Sequence, residues 1–422
     1  MVNTSQLPFL SGIEPMHSTA PTPTAQVGFA ISLALIGALG PSAVDMYLAS
    51  MPSIASEFAT SYAGVQLTLT VFLLAMGAGQ LLFGPLVDTL GRRRPLLAGL
   101  LVFVCSSLAA AAAPDLNSLL LARFIQGLGS ALTLVVIMSM VRDVAEGARA
   151  AQIFALLMTI EGLAPVIAPA LGGFVGAHFG WRAIMLVLAA LAVLVLINSA
   201  VMLKETLPED QRMAWQPREF LRTYGRIACD RQFLRPALAL SAVFFFLFAY
   251  IGGAALVYQE HFGLSVEAFG TLFGATGVAI LLGAISAGRL VARKGLVRLA
   301  RWGAACMLVG AVLVLAGALS AAGLVGIVAG MAVAMFGLGM AEATLMSLVM
   351  ASQSKALGST AALLGAFQLI ISSFATPLSG IMAPLGAAHW ALLLGVSAVC
   401  VALLVHISTR HAEPHLHSLA GH

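Results

Sequence analysis

The stretch GPLVDTLGRRRP, Gly84 to Pro95, places Asp88, Arg92, Arg93 and Arg94 between two long apolar runs. Such a concentration of charge predicts a tight polar turn joining two helices that lie in an apolar medium. The rest of the chain agrees. It has 422 residues, 60% hydrophobic and 9% charged, whereas a soluble chain is about a quarter charged. That leaves too little polar surface to face water, so the bilayer is the expected solvent.

Apolar runs long enough to span recur near 27–50, 65–87, 95–113, 118–141, 150–175, 182–203, 236–258, 267–290, 298–319, 323–350, 358–382 and 386–407. Backbone polar groups in lipid must be satisfied internally, and no short alternating segments suggest a barrel, so these runs are helices. The expected fold is an all-α membrane protein of twelve transmembrane helices in two pseudo-symmetric six-helix bundles. The divisions are a disordered cytoplasmic tail over 1–24, an N-terminal bundle over 25–203, a cytoplasmic central loop over 204–235, a C-terminal bundle over 236–407 and a cytoplasmic tail over 408–422. The first tail has no Lys or Arg, so it lacks the basic region of a signal peptide.

With both termini inside, all of the 21 Lys and Arg except Arg123 and Arg182 fall on the cytoplasmic side. That bias explains the arginines of the opening stretch. It leaves Asp88 unexplained, because acidic residues contribute little to orientation. The halves also echo each other. GPLVDTLG (84–91) aligns with GRLVARKG (288–295), and GLGSA (127–131) with GLGMA (337–341). Internal repeats of this kind mark transporters whose substrate site lies between the halves.

No phosphate loop, HExxH or GxSxG occurs, so neither a built-in ATPase nor a hydrolase is signalled. Cys105, Cys229, Cys306 and Cys400 form no CxxC pair, and the irregular histidines His406, His411, His415, His417 and His422 suit a solvated tail better than a metal. No metal and no cofactor is expected, with a proton gradient as the energy source. The partners are a small-molecule substrate, protons and lipid, not nucleic acid, and the chain is expected to be a monomer.

In its motifs the chain resembles the major facilitator superfamily. Gly84, Asp88, Gly91, Arg92 and Arg93 fit that family's loop motif, GxxxD[RK]xGR[RK], while Thr89 departs from its usual basic residue. RFIQGLGSA (123–131) is similar to its span-4 motif. GLAPVIAPALGG (162–173) is similar to the proline–glycine motif of antiporters. DMYLASMPSIASEF (45–58) and GSTAALLGAFQ (358–368) resemble the Bcr/CflA drug-efflux subfamily. The resemblance implies a proton-coupled antiporter that exports amphipathic drugs across the bacterial inner membrane. The alternatives are export of a metabolite such as an amino acid, short peptide or siderophore, or a passive channel or sensor.

Several residues are candidates for the work. Asp88, Arg92 or Arg93, and Asp143 are expected to form a cytoplasmic gate, with Asp88 available to cap span 11; the alternative is an exposed cluster of little energetic value. Asp45, Arg123, Glu161 and Glu342 are intramembrane charges, which are costly and usually face a cavity. Asp45 is the first choice for the proton-carrying acid, paired with Arg123 directly or through water, and Glu342 the second. Glu161 is a third acid or a structural partner of carbonyls freed by Pro165 and Pro169. Those prolines with Gly172 and Gly173 bend span 5, by the resemblance to seal against proton leak. Tyr47, Gln66, Phe245, Phe248, Tyr250 and Gln368 are candidate substrate contacts, with core or lipid packing as the alternative.

Overall fold

The computed structural model describes residues 23–144, 147–212, 217–353 and 357–410, without the side chains of 23–27, 147–152, 154–156, 158–161, 211, 217 and 357. Residues 1–22 of the tail expected over 1–24, residues 411–422 of the tail expected over 408–422, and the side chain of Glu161 lie outside these described residues; 23–24 and 408–410 are helical. Among the described residues, twelve helices are long and apolar enough to cross a membrane.

The N-terminal half holds α1 (Pro23–Leu48), short α2 (Met51–Glu57), α3 (Tyr62–Leu90), α4 (Arg93–Ala111), α5 (Leu116–Val144), α6 (Gly147–Phe179) and α7 (Trp181–Met202). Helix α8 (Pro217–Cys229) lies in the connection between halves. The C-terminal half holds α9 (Arg231–Leu256), α10 (Val266–Lys294), α11 (Leu296–Leu319), α12 (Gly323–Ala351), α13 (Leu357–Ser373) with its continuation α14 (Ala375–Met382), and α15 (Ala387–Arg410). The helix starts reflect local chemistry. Ser61 and Ser265 sit in extended backbone and accept from the Gly64 and Ala268 amides, both at 3.1 Å, capping α3 and α10. These two helices are the repeat partners, and Gly91 and Gly295 close both with positive φ, 86° and 76°.

Packing follows the small residues. Gly303, Gly310 and Gly317 of α11 lie against the backbone of α12 at Gly337, Gly330 and Gly326, which lets the two helices approach closely. The halves meet along α3 with α13 and α14, and along α6 with α10. Large apolar side chains such as Leu194, Ile197, Val312 and Leu392 face outward, as a lipid-facing surface requires. A groove between α11 and α15, lined by Leu308, Val312, Leu392 and Val396, is wholly apolar and belongs to that surface.

The central connection is more ordered than a polar loop. In α8 the buried Tyr224 and Ile227 alternate with exposed Arg218, Arg222 and Arg226 at helical spacing. It packs on α9 and α13, and the Tyr224 hydroxyl reaches the Leu81 carbonyl of α3 at 3.5 Å.

Candidate functional site

Arg123 of α5 is fully buried, and its surroundings are built by four helices. Its guanidinium donates to Gln126 Oε1 at 2.5 Å and to the Ala43 carbonyl of α1 at 3.1 Å. It lies over the rings of Tyr47 (4.9 Å) and Phe72 (4.5 Å). Gln126 in turn donates to Ser107 of α4 at 2.7 Å, and Tyr47 pairs with Thr68 at 3.1 Å. The cation is therefore held by dipoles and π faces, and its Nε has no hydrogen-bond partner among the described residues. Tyr47 is part of this cage.

The expected Asp45–Arg123 pair does not form. Asp45 is 5% exposed on α1, yet makes no ion pair or side-chain hydrogen bond with described residues. The physical reason lies in the rotation of the helices: the Ala43 carbonyl and the Tyr47 ring turn toward Arg123, and Gln126 takes a second donor direction. Glu342 of α12 is likewise without an ion-pair partner among described residues and is partly exposed. Protonation of either acid would break no ion pair among the described residues.

The aromatic candidates divide. Tyr250 turns into the C-terminal half, stacked on Phe273 at 5.0 Å and bonded to Thr276 at 3.3 Å. Phe248 is buried and Phe245 half-buried. Gln66 is fully buried and donates to the Gly252 carbonyl of α9 at 2.7 Å, so it joins the halves. Gln368 is buried on α13, one turn from Gly365, where the Gln80 side chain of α3 lies in contact.

At the arginine-rich end, Arg92 donates to Asp88 at 2.6 Å and to Asp143 at 2.8 Å, and Thr206 adds a bond to Asp143 at 2.9 Å. Burial opposes the charge of Arg92, but Asp143 and Asp88 hold its pKa above the usual value. Asp88 bonds Arg92 rather than span 11; Arg142 is the side chain lying against Gly358 there. Arg93 donates to the Leu203 and Ala200 carbonyls that end α7.

Glu205 completes this cluster. Its carboxylate accepts from the Arg92 and Arg93 amides at 2.7 and 3.1 Å, capping α4. Burial pushes this carboxyl up, but the amides of Arg92, Leu207, Arg93 and Thr206 outweigh it and hold it below the usual glutamate range. A Cβ at Gly91 would stand 2.7 Å from the Glu205 carboxylate, so glycine is needed there for space as well as for its positive φ.

On α6, Pro165 and Pro169 lie inside the helix, and their carbonyls pack against Gly277 and Gly270 of α10. A Cβ at Gly172 would overlap the Met46 backbone, and one at Gly173 would lie 2.9 Å from the Val266 carbonyl. These residues bring α1, α6 and α10 together.

A family model described as the Major Facilitator Superfamily matches residues 33–376. The chain belongs to this superfamily. It is 38% identical over 285 residues to the uncharacterized MFS-type transporter YdgK of Bacillus subtilis, covering 66% of this chain and 71% of that protein. It is 28% identical over 267 residues to a bicyclomycin resistance protein homolog of Haemophilus influenzae, covering 63% and 67%. The fold superposes on a D-xylose-proton symporter with TM-score 0.71 at 16% identity, over 90% of this chain and 97% of the other. As a major facilitator protein, the chain is a multi-pass membrane transporter for a small molecule, not an enzyme.

Sequence reasoning missed Glu205, Gln126, Phe72, Gln80 and Tyr224. Gln126 and Gln80 carried a usable signal, being amides inside apolar spans that need partners. Glu205 carried little, because an acid in a polar loop shows nothing of the amides it caps.

Proposed function

We propose that this major facilitator transporter is a proton-coupled antiporter exporting amphipathic drugs or other small toxic molecules across the bacterial cytoplasmic membrane. Both termini face the cytoplasm, because the arginine-rich end then lies inside. The observation that carries the reading is Asp45: a buried carboxylate with no ion-pair partner among described residues, on the helix that also supplies part of the Arg123 cage. A charge held this way is costly in the membrane, so the acid exchanges its charge for a proton as the surroundings change. Substrate and proton then compete for one transporter, with Glu342 as the second acid. The drug-resistance name of the Haemophilus relative supports the cargo class.

The test is bicyclomycin uptake into proteoliposomes holding inside-out protein with an acidic lumen. Uphill uptake that is lost in Asp45→Asn, with bicyclomycin binding retained, supports Asp45 as the coupling acid. Unchanged gradient-driven uptake in the variant moves the role to Glu342. Downhill flux only, in the wild type, removes the antiporter reading in favour of a passive channel.

A further inference from the structure

The two repeat turns differ in how their cations are satisfied. In the α3–α4 turn, Arg92 is neutralised by Asp88 and Asp143, and Arg93 by backbone carbonyls. In the α10–α11 turn the position of Asp88 is taken by Ala292, and Pro85, Thr89 and Leu90 are replaced by Arg289, Arg293 and Lys294. No acidic residue occurs between Glu267 and Glu342. Arg289, Arg293, Lys294 and Arg298 are all exposed, and none forms an ion pair among the described residues.

The surface leading to these cations is apolar. Val278, Leu282 and Ile285 are exposed on α10, and the spacing places them on one helix face with Arg289 and Arg293. That face points away from α12, which α10 meets through Gly283 and Ile280. At the same turn, Lys294 Nζ lies 5.8 Å from the ring centre of the half-exposed Trp302 of α11. An apolar stripe ending in unpaired cations beside a tryptophan fits a molecule with acyl tails and a negative head. We infer that the tip of the α10–α11 hairpin binds the head group of an anionic phospholipid, its tails lying along Val278, Leu282 and Ile285.

The test is native mass spectrometry of the full-length protein titrated with phosphatidylglycerol, cardiolipin or phosphatidylethanolamine. The anionic lipids are expected to bind in preference to phosphatidylethanolamine. R289Q/R293Q/K294Q is expected to weaken anionic-lipid binding by about tenfold or more. R94Q/R231Q/R235Q, which removes equal charge from the same end, stays within about twofold of wild type, and R289K/R293K retains binding. If the triple variant does not elute as a folded monodisperse species, R293Q/K294Q is read in its place, with a proportionate loss expected. Equal losses in both triple variants would mean bulk charge attraction and overturn the site. So would no loss in either, or binding of phosphatidylethanolamine as strong as that of the anionic lipids. Displacement of the lipid by millimolar inorganic phosphate would reassign the tip as a free-anion site.

Discussion

At the scale of single residues, Glu205 shows how a polar loop governs a membrane helix. Its carboxylate closes the N-terminus of α4 through two amides and sits in the space left by Gly91. Glu205→Gln removes the charge but keeps the shape, and is expected to cost about 1 kcal/mol of stability, read as a lower unfolding temperature in detergent. The pH dependence has a definite sign. The folded pKa of Glu205 is depressed, so its contribution is present above the unfolded value of about 4.3. It is lost as pH falls through the folded value. The gap between wild type and variant is therefore expected to be full at pH 7 and to close in strong acid. A gap independent of pH would show that the charge does not stabilise the cap. The intramembrane charges were legible at this scale, because Asp45, Arg123 and Glu342 stand out in apolar runs. Their partners were not. Position along a helix follows from residue number, but the direction of a side chain also depends on how the helix rotates against its neighbours. That rotation gives Arg123 to Gln126 and two rings instead of to Asp45.

At the scale of elements, the spans were legible because lipid demands long apolar helices and the polar turns between them are short. Helix α8 was not, because a scan for spans passes over a short amphipathic helix; its signal is the helical spacing of Tyr224 and Ile227 among arginines. The proline–glycine run of α6 stood out in the sequence, while its close approach to α10 depends on both chains of atoms. That approach gives a paired prediction. Gly173→Val places a Cβ 2.9 Å from the Val266 carbonyl, with backbone on the other side that cannot yield as a flexible side chain would. It is expected to cost about 2 kcal/mol or more, seen as loss of folded protein after purification. Gly162→Ala, whose nearest neighbour is a Leu281 methyl at 3.8 Å, is expected to stay within about 0.5 kcal/mol of wild type. Equal behaviour of the two variants would mean that the α6–α10 seam is not held at this spacing.

At the scale of the whole molecule, the repeat predicts two equivalent halves, but the bonds between them are unevenly placed. Away from the arginine-rich end, Gln66 donates to the Gly252 carbonyl (2.7 Å) and Gln259 to the Ala49 carbonyl (2.8 Å). Thr70 meets Thr376 at 2.7 Å, and His178 faces Glu267 at 3.2 Å. At the arginine-rich end, Asp88, Arg92, Asp143 and Glu205 all bond within the N-terminal half and its connection. Among the described residues, the hydrogen bonds that tie the two transmembrane halves together thus gather toward the far end. Gln66→Leu with Gln259→Leu removes two of these ties, each worth about 1 kcal/mol, and is expected to move the open-to-closed ratio at that end by about thirtyfold. Spin labels at Ser56 and Ala321 report the far end, and labels at Val144 and Ala351 the other, with the four native cysteines replaced. The first distance is expected to gain a longer population as the second shortens, since an alternating-access protein opens one end by closing the other. Lengthening at the far end alone would mean local loosening without coupled movement. No change at either end would place the closure in the α3–α14 and α6–α10 packing rather than in the glutamine bonds.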